Sequence, residues 1–401
     1  MATEAIDGPQ AETPPAAPGS EVPLGVNEMR LGPRQWLAAA AIILACALGI
    51  PRLWKHAEPL QTGPDYRIPY QLSKDYWLYQ WRLERIAEPA AAPPAVPVLG
   101  DSMIWGEYVR PDGTLPHFLS QETGQTGRFL NCGVNGLFPL AMEGLVRDYG
   151  GSLRDRKVIV HCNVLWMSSP KADLSTKKEQ EFNHSRLVPQ FYPRIPCYRA
   201  DASERLSAVV ERHVGFFGWV SHLDNVCFDQ RSIPAWTLEA DESQPPQYPN
   251  AWRNPLGRIT LAVPGEAEDD PDRGPRSPRH KPWTAGEAAG GAKFDWVPLG
   301  ASLQWQAFQR LIGLLQSRGC DVLVVLGPFN EHMVAQKQRP AFHKLRDGIA
   351  AWLAAGQIAH VVPETLPSDL YADASHPLTD GYERLARRIC RDAAFQEWLG
   401  K

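Results

Sequence analysis

Short apolar runs alternate with amphipathic stretches over most of this chain. Runs of four to ten residues end at Gly100, begin at Phe129, and occupy residues 157–166, 321–327 and 360–363. Uninterrupted runs of this length are typical of strands in a parallel sheet that is covered on both faces. Stretches with helical spacing lie between or after them, at residues 115–123, 139–149, 303–318, 341–355 and 379–389, the last of which we expect to be the final helix. The alternation predicts an α/β fold with a doubly wound parallel sheet.

The alternation stops in the middle of the chain and then resumes. Between residues 167 and 295 we find isolated helical pieces, such as 203–214, separated by polar segments rich in proline. Residues 264–279 have low complexity, which is typical of a mobile surface loop. We therefore predict one α/β domain over residues 95–401 that carries a long irregular insertion at 167–295.

The N-terminal region has a different pattern. Residues 1–33 are rich in Ala, Pro, Glu and Gly without periodicity, which predicts a disordered tail. Residues 34–54 contain a long uncharged stretch that approaches the roughly 20 residues needed to span a bilayer. Cationic and aromatic residues flank this stretch: Arg30, Arg34, Trp36, Arg52, Trp54 and Lys55. The pattern predicts an uncleaved transmembrane signal anchor, with a buried Ala-rich helix as the alternative, and the balanced charges do not fix its orientation.

Residues 55–94 connect this segment to the predicted α/β domain. Their first part is rich in aromatic residues, and we expect a juxtamembrane helix that packs on the domain. Their last part, residues 88–94, is a Pro- and Ala-rich stretch typical of a stiff linker.

Composition and charge exclude some classes of partner and cofactor. The net charge is −4 and no long run of Lys or Arg is present, so we expect no nucleic-acid partner. The seven cysteines form no C-x-x-C pair, and no His cluster has metal-ligand spacing, so we expect no metal and no other cofactor. If the domain is exported to an oxidising compartment, Cys197 and Cys227 are the cysteines that we expect to pair.

Two short motifs carry the candidate chemistry. The first strand ends in Gly100-Asp101-Ser102, which places a hydroxyl at the strand's carboxyl end, where open α/β sheets bind their ligands. Near the other end of the chain, Asp373-Ala-Ser-His376-Pro377 precedes the last predicted helix. Ser, His and Asp can act as nucleophile, base and orienting group in acyl transfer. Each motif could also serve its turn alone, because turns favour these residues for conformational reasons.

Together the motifs resemble the SGNH (GDSL) hydrolase family, whose first block is Gly-Asp-Ser and whose last block is Asp-x-x-His-Pro. The resemblance implies a flavodoxin-like sheet and a catalytic triad of Ser102, Asp373 and His376. In this assignment His376 takes the proton of Ser102, and Asp373 holds the imidazole and stabilises its charged form. The resemblance covers residues 95–166 and 300–395, and the terminal blocks are its specific part.

The resemblance also implies an oxyanion hole of three donors. These are the Ser102 N–H, a Gly N–H from the second block and an Asn side chain from the third. Gly136 is the better match in the second block and Gly133 the fallback, while Asn163 is the candidate in the third. The third block departs from the family pattern Gly-x-Asn-Asp, because the chain has His161-Cys-Asn163-Val there. A role of Gly136 and Asn163 as turn formers only is the alternative.

The resemblance implies acyl-ester hydrolysis or O-acyl transfer on a cell-envelope carbohydrate, with a small acyl group such as acetyl. The expected partners are an acylated carbohydrate or other ester, the membrane and a membrane-bound acyltransferase, and the expected location of the domain is extracytoplasmic. A catalytically idle scaffold or binding subunit is the alternative from another class, and a metal-dependent hydrolase ranks below both. Asn330, Glu331 and His332 follow a predicted strand and either line the substrate cleft or form a solvated loop.

Overall fold

The computed structural model describes residues 32–58, 60, 63–88, 94–228, 281–283 and 292–400. The tail predicted at residues 1–33 lies outside this set except for its last two residues, and so does most of the linker predicted at 88–94. The low-complexity segment at 264–279 also lies outside it.

Five strands form one parallel sheet. Their bounds are Val96–Gly100 (β1), Phe129–Gly133 (β2), Lys157–Cys162 (β3), Asp321–Leu326 (β4) and Ala359–Val361 (β5). The spatial order is β2-β1-β3-β4-β5, and every neighbouring pair is parallel. This is the flavodoxin-like order, in which the chain reverses direction across the sheet between β1 and β3. The predicted α/β fold is confirmed. The switch point, where the strand order reverses, lies at the carboxyl end of β1, next to Ser102.

The described residues form eleven α-helices, and helices of the second compact unit cover both faces of this sheet. Their bounds are Pro33–Ala57 (α1), Tyr76–Ala87 (α2), Ser102–Trp105 (α3), Leu115–Glu122 (α4), Pro139–Tyr149 (α5), Ala202–His213 (α6), Gly215–Cys227 (α7), Leu303–Ser317 (α8), Arg339–Ala355 (α9), Thr379–Arg391 (α10) and Ala393–Gly400 (α11). Alternate strand residues point to opposite faces, so that Val158 and Val160 pack with α2, α5, α8 and α9, whereas Ile159 packs with α4, α10 and α11.

The prediction that α10 is the last helix is wrong, because α11 follows it. Residues 393–400 form fewer than three turns, too few for a helical period to stand out in the sequence. Phe395 and Trp398 are buried in the same hydrophobic cluster as α10 and the strands. The helix therefore owes its stability to packing.

The chain divides into two compact units, Met1–Ala47 and Leu48–Lys401. In the first unit the described residues form the apolar beginning of α1. The whole of α1 has 25 residues, and its most apolar window has a mean hydropathy of 1.9, so it is long and apolar enough to cross a membrane.

The aromatic segment that follows α1 is an integral part of the second unit. The Arg82 guanidinium on α2 is buried and donates to the carbonyl oxygens of Tyr66 (2.6 Å) and Asn131 (2.7 Å). The Tyr79 hydroxyl donates to the carbonyl of Cys132, which lies on β2, at 3.2 Å. Residues on both sides of the predicted boundary at residue 95 therefore share one hydrogen-bonded core.

The described part of the insertion is packed on the sheet domain. The Asp173 carboxylate is buried and accepts the N–H groups of Leu303 and Gln304, both at 3.1 Å, at the start of α8. All seven cysteines are free, so the expected pair between Cys197 and Cys227 does not form. The buried thiol of Cys197 donates instead to the Leu174 carbonyl.

Candidate active site

Ser102 lies at the turn between β1 and α3. Gly100 is required there, because a side chain at that position would collide with Ile104 and approach the Cβ of His161 to 3.0 Å. The Asp101 side chain caps α3 by accepting the Met103 N–H at 3.0 Å. As the first helical residue, Ser102 has an N–H that the helix itself leaves without an acceptor. The turn thus presents both the hydroxyl and a backbone donor at the same point.

The three predicted catalytic residues meet at this turn. The His376 Nε2 lies 2.8 Å from the Ser102 Oγ, and the His376 Nδ1 lies 2.8 Å from both carboxylate oxygens of Asp373. A neutral imidazole protonated on Nδ1 donates to the carboxylate and accepts the serine proton on Nε2. The arrangement is a hydroxyl, base and orienting carboxylate in hydrogen-bond reach.

The charges of the pair stabilise each other's ionised form. Burial alone would lower the pKa of His376, but the charge and hydrogen bond of Asp373, with Asp101 and Glu107 nearby, raise it above 6.5. Burial alone would raise the pKa of Asp373, but His376 and the backbone N–H groups of Ser375 and His376 hold it below its usual value. Asp373 is therefore an anion at neutral pH, able to stabilise an imidazolium.

The loop that carries Asp373 is held by the segment that follows β4. The Asn330 N–H donates to the Ala374 carbonyl at 2.8 Å, and its side-chain amide donates to the Asp373 carbonyl at 3.2 Å. Glu331 instead pairs with Arg346 at 2.8 Å, and the His332 Nε2 lies 3.1 Å from the carbonyl oxygen of Leu366. Of the three residues expected to line the cleft or a solvated loop, only Asn330 contacts the candidate site, and it is fully buried.

Asp101 has a structural role that the sequence reasoning missed. Its buried carboxylate accepts hydrogen bonds from the ring nitrogens of His161 (3.1 Å) and Trp166 (2.9 Å) and from the Asn163 amide (3.1 Å), besides the Met103 N–H. Burial alone would raise the pKa of Asp101, but the charge and hydrogen bond of His161, the charge of His376 and the Met103 N–H outweigh it and lower the pKa to about 2. The carboxylate thereby ties the end of β1 to the end of β3. The signal in the sequence was His161, a polar residue inside an apolar run.

The candidate oxyanion donors differ in whether their hydrogens are already bonded. Gly133 has its N–H bonded to the Asn131 side chain at 3.0 Å, whereas the structure gives the Gly136 N–H no acceptor among the residues that it describes. Gly136 has a φ of 72°, and a side chain there would collide with Asn183. Gly136 is thus the better of the two candidates. One amide hydrogen of Asn163 is used by Asp101, which leaves the second available.

Tyr108 is a further residue that sequence reasoning did not find. Its ring stands edge-on to the His376 ring, with centroids 5.4 Å apart, and its hydroxyl hydrogen-bonds to Asp373. Burial, followed by the charges of Asp373 and Glu107, raises the pKa of Tyr108 to about 12, so the hydroxyl stays protonated and donates.

Gly136 also lies at the edge of a cavity of about 310 Å³. The insertion contributes much of its wall, including Leu174, Phe182 and Asn183, and α5 contributes Leu140. In the part of the chain that the structure describes, no three His, Cys, Asp or Glu side chains form a group that could hold a metal ion.

No protein-family model matches this chain, and no curated protein matches it significantly.

Proposed function

We propose that this protein is a serine-dependent acyl-ester hydrolase or O-acyltransferase of the SGNH type. The observation that carries the proposal is the continuous relay from the Ser102 hydroxyl through His376 to Asp373, with both hydrogen bonds at 2.8 Å. The order of the motifs along the chain and the parallel sheet that carries them support the same conclusion.

In the acylation step the Ser102 Oγ attacks the ester carbonyl carbon while His376 Nε2 takes the hydroxyl proton. The C–O bond to the leaving alcohol then breaks, and His376 returns the proton to that alcohol. Asp373 keeps the proton on Nδ1 throughout and stabilises the transient imidazolium. The product of this half-reaction is an acyl ester on Ser102.

The tetrahedral intermediates of both steps carry a negative oxygen. The N–H groups of Ser102 and Gly136 and the second amide hydrogen of Asn163 are the donors assigned to it. In this assignment Asp101 positions Asn163. Loss of one oxyanion-hole donor typically lowers the rate by about 10²–10³-fold. The replacement of the family's glycine by His161 is accommodated because His161 donates to the same carboxylate.

The second half-reaction repeats these proton transfers with a new acceptor. Water makes the protein a hydrolase and a sugar hydroxyl makes it a transferase, and the residues above serve either. The preferred substrate class is a small acyl group, such as acetyl, on a cell-envelope carbohydrate. In this proposal α1 is a single membrane span, the sheet domain is extracytoplasmic, and a membrane-bound acyltransferase is a candidate partner.

The test uses the full-length protein in detergent with a fluorophosphonate probe and a chromogenic acetyl ester. We expect the wild type and the control Ser317→Ala to be labelled and to release acetate, because Ser317 is exposed on α8, away from the relay. Ser102→Ala should lose both activities while its melting temperature is unchanged. A folded wild-type protein that neither labels nor turns over would overturn the proposal and leave the idle scaffold or binding subunit.

A further inference from the structure

Exposed apolar side chains lie on α6, on α7 and at the residue between the two helices. We define the α6–α7 patch as Leu206, Val214, Phe217 and Val220, whose residues are 57%, 42%, 46% and 41% exposed. Phe216 adjoins the patch, with its ring centroid 5.6 Å from that of Phe217. Single exposed apolar residues are ordinary, but a group of this kind marks an interaction surface.

The other side of α7 holds the end of α1. The Trp219 ring stands edge-on to Trp54, with centroids 5.7 Å apart. His222 is buried between two carboxylates, with Nε2 2.8 Å from Glu58 and Nδ1 2.6 Å from Asp75. The Trp54 indole also donates to Glu58, at 2.7 Å. These contacts fix α7 against the last turns of α1.

Those last turns have the composition of a membrane boundary. Arg52, Trp54 and Lys55 follow the apolar part of α1, and cations and tryptophans are enriched where helices leave the bilayer. Lys55 pairs with Glu84 and lies 5.3 Å from the centre of the Trp77 ring. Both partners belong to α2, so the folded domain begins at this boundary.

Phe217 and Val220 lie within one turn of Trp219, the α7 residue that contacts Trp54. Phe217 precedes Trp219 by two residues on α7, about 3 Å along the helix axis. Val220 follows Phe217 by three residues and lies on the same helical face. An apolar face of this kind lies about 5–10 Å deep at the boundary between headgroups and acyl chains when a helix binds at a membrane surface.

We propose that the α6–α7 patch is a second membrane contact, which inserts into the headgroup region of the bilayer that α1 crosses. The occupant is the lipid surface, because the patch continues from the helix that holds Trp54 at the boundary. The proposal rests on α1 being a membrane span and is independent of the acyl-transfer chemistry. Two contacts instead of one tether would hold the sheet domain in one orientation against the lipid.

The test measures lipid exposure by spin labelling of the full-length protein in phosphatidylcholine–phosphatidylglycerol vesicles. Cys46→Ala is the background, because Cys46 is the exposed cysteine and the other six are buried. Single labels are placed at Phe217→Cys and Val220→Cys, with Leu44→Cys in α1 as the lipid reference. The matched control is Ala393→Cys, an exposed position on α11, which packs on the opposite face of the sheet.

We expect labels at positions 217 and 220 to collide several-fold more with oxygen, and less with a water-soluble nickel chelate, than the label at 393. Equal chelate accessibility at all three positions would overturn the proposal. Protection from both reagents would also overturn it, because a second copy or another protein would then cover the patch. A water-exposed label at position 44 would show that α1 does not span and would also overturn the proposal. Fluorophosphonate labelling of Ser102 in the same samples tests the catalytic proposal separately.

Discussion

Two aspartate–histidine pairs lie beside Ser102, and in the described part of the chain only the His376 ring reaches its hydroxyl. In each pair the histidine Nδ1 faces the carboxylate, at 3.1 Å for His161 and Asp101 and at 2.8 Å for His376 and Asp373. The His376 Nε2 meets the Ser102 hydroxyl, whereas the His161 Nε2 is buried without a partner among the described residues. A histidine beside a carboxylate therefore becomes a candidate base only when its second nitrogen reaches a hydroxyl.

The two carboxylates also differ in what surrounds them. Asp101 is fully enclosed and its oxygens are shared by four donors from β3, α3 and the segment after β3. Asp373 lies in a loop, and its donors are His376, that loop's own backbone N–H groups and the Tyr108 hydroxyl. We infer that the first pair maintains the fold of the site and the second performs its chemistry.

Replacing each histidine by alanine gives the largest expected contrast. His376→Ala should lower kcat by at least about 10⁴-fold, because it removes the base, and should leave the melting temperature unchanged. His161→Ala should cost roughly 2–4 kcal/mol of the free energy of unfolding, because it opens a cavity and removes a donor from Asp101. Chromogenic ester turnover and urea unfolding measure the two effects. Equal losses of kcat with unchanged stability in both variants would contradict the division of roles.

Replacing each aspartate by asparagine is the next largest contrast. Asp373→Asn should lower kcat by about 10⁴-fold through the wrong imidazole tautomer, with little loss of stability. Asp101→Asn should cost about 3 kcal/mol, because a buried anion and its donors lose their match. The pKa of Asp101 is lowered from 3.8 to about 2, so its contribution to stability is present above pH 3.8 and is lost as the pH falls through 2. Acid unfolding should therefore lose this component in Asp101→Asn and keep it in Asp373→Asn.

The sequence predicts the strands and the pair of His376 and Asp373, but not the contacts of the pair of His161 and Asp101. All five strands were predictable, because a buried parallel strand is an apolar run bounded by turn residues. Ser102, Asp373 and His376 were predictable as a set, because each follows or precedes an element in a short motif. Their approach to 2.8 Å is a property of the sheet order, which brings the first strand and the last loop to the same edge.

The partners of Asp101 could not be predicted, because they meet only when β3 lies beside β1. In the sequence His161 is merely a departure from the family's third block, and Trp166 is one more apolar residue. The same limit applies to α7, whose buried residues contact α2 across a long separation. Asn330 was noticed at the end of a strand, but its hydrogen bonds to the Asp373 loop depend on the sheet. Tertiary packing decides each of these roles.

The pH dependence of turnover tests the catalytic pair directly. His376 must be neutral to accept the serine proton, and its pKa is raised above 6.5, so activity should rise with pH to a midpoint above 6.5. Glu107 contributes to this rise, so Glu107→Gln should move the midpoint of kcat/KM to lower pH. The matched control is Glu383→Gln, a half-buried residue on α10 that pairs with Arg387 and does not contribute to the pKa shift of His376, so it should leave the midpoint in place. A midpoint that Glu107→Gln leaves unchanged would contradict the assigned electrostatics.

We expect the smallest effect from substitution of Tyr108, which contacts both His376 and Asp373. Tyr108→Phe keeps the ring beside His376 but removes the hydrogen bond to Asp373, so kcat should fall about 3–10-fold with KM unchanged, the equivalent of one hydrogen bond. The matched control is Tyr198→Phe, which removes a hydroxyl bonded to Gln190 at 2.8 Å in the insertion. That control should change stability without changing kcat. Tyr108→Leu, which also removes the ring, should lower kcat further than Tyr108→Phe, and equal effects would assign the whole role to the hydroxyl.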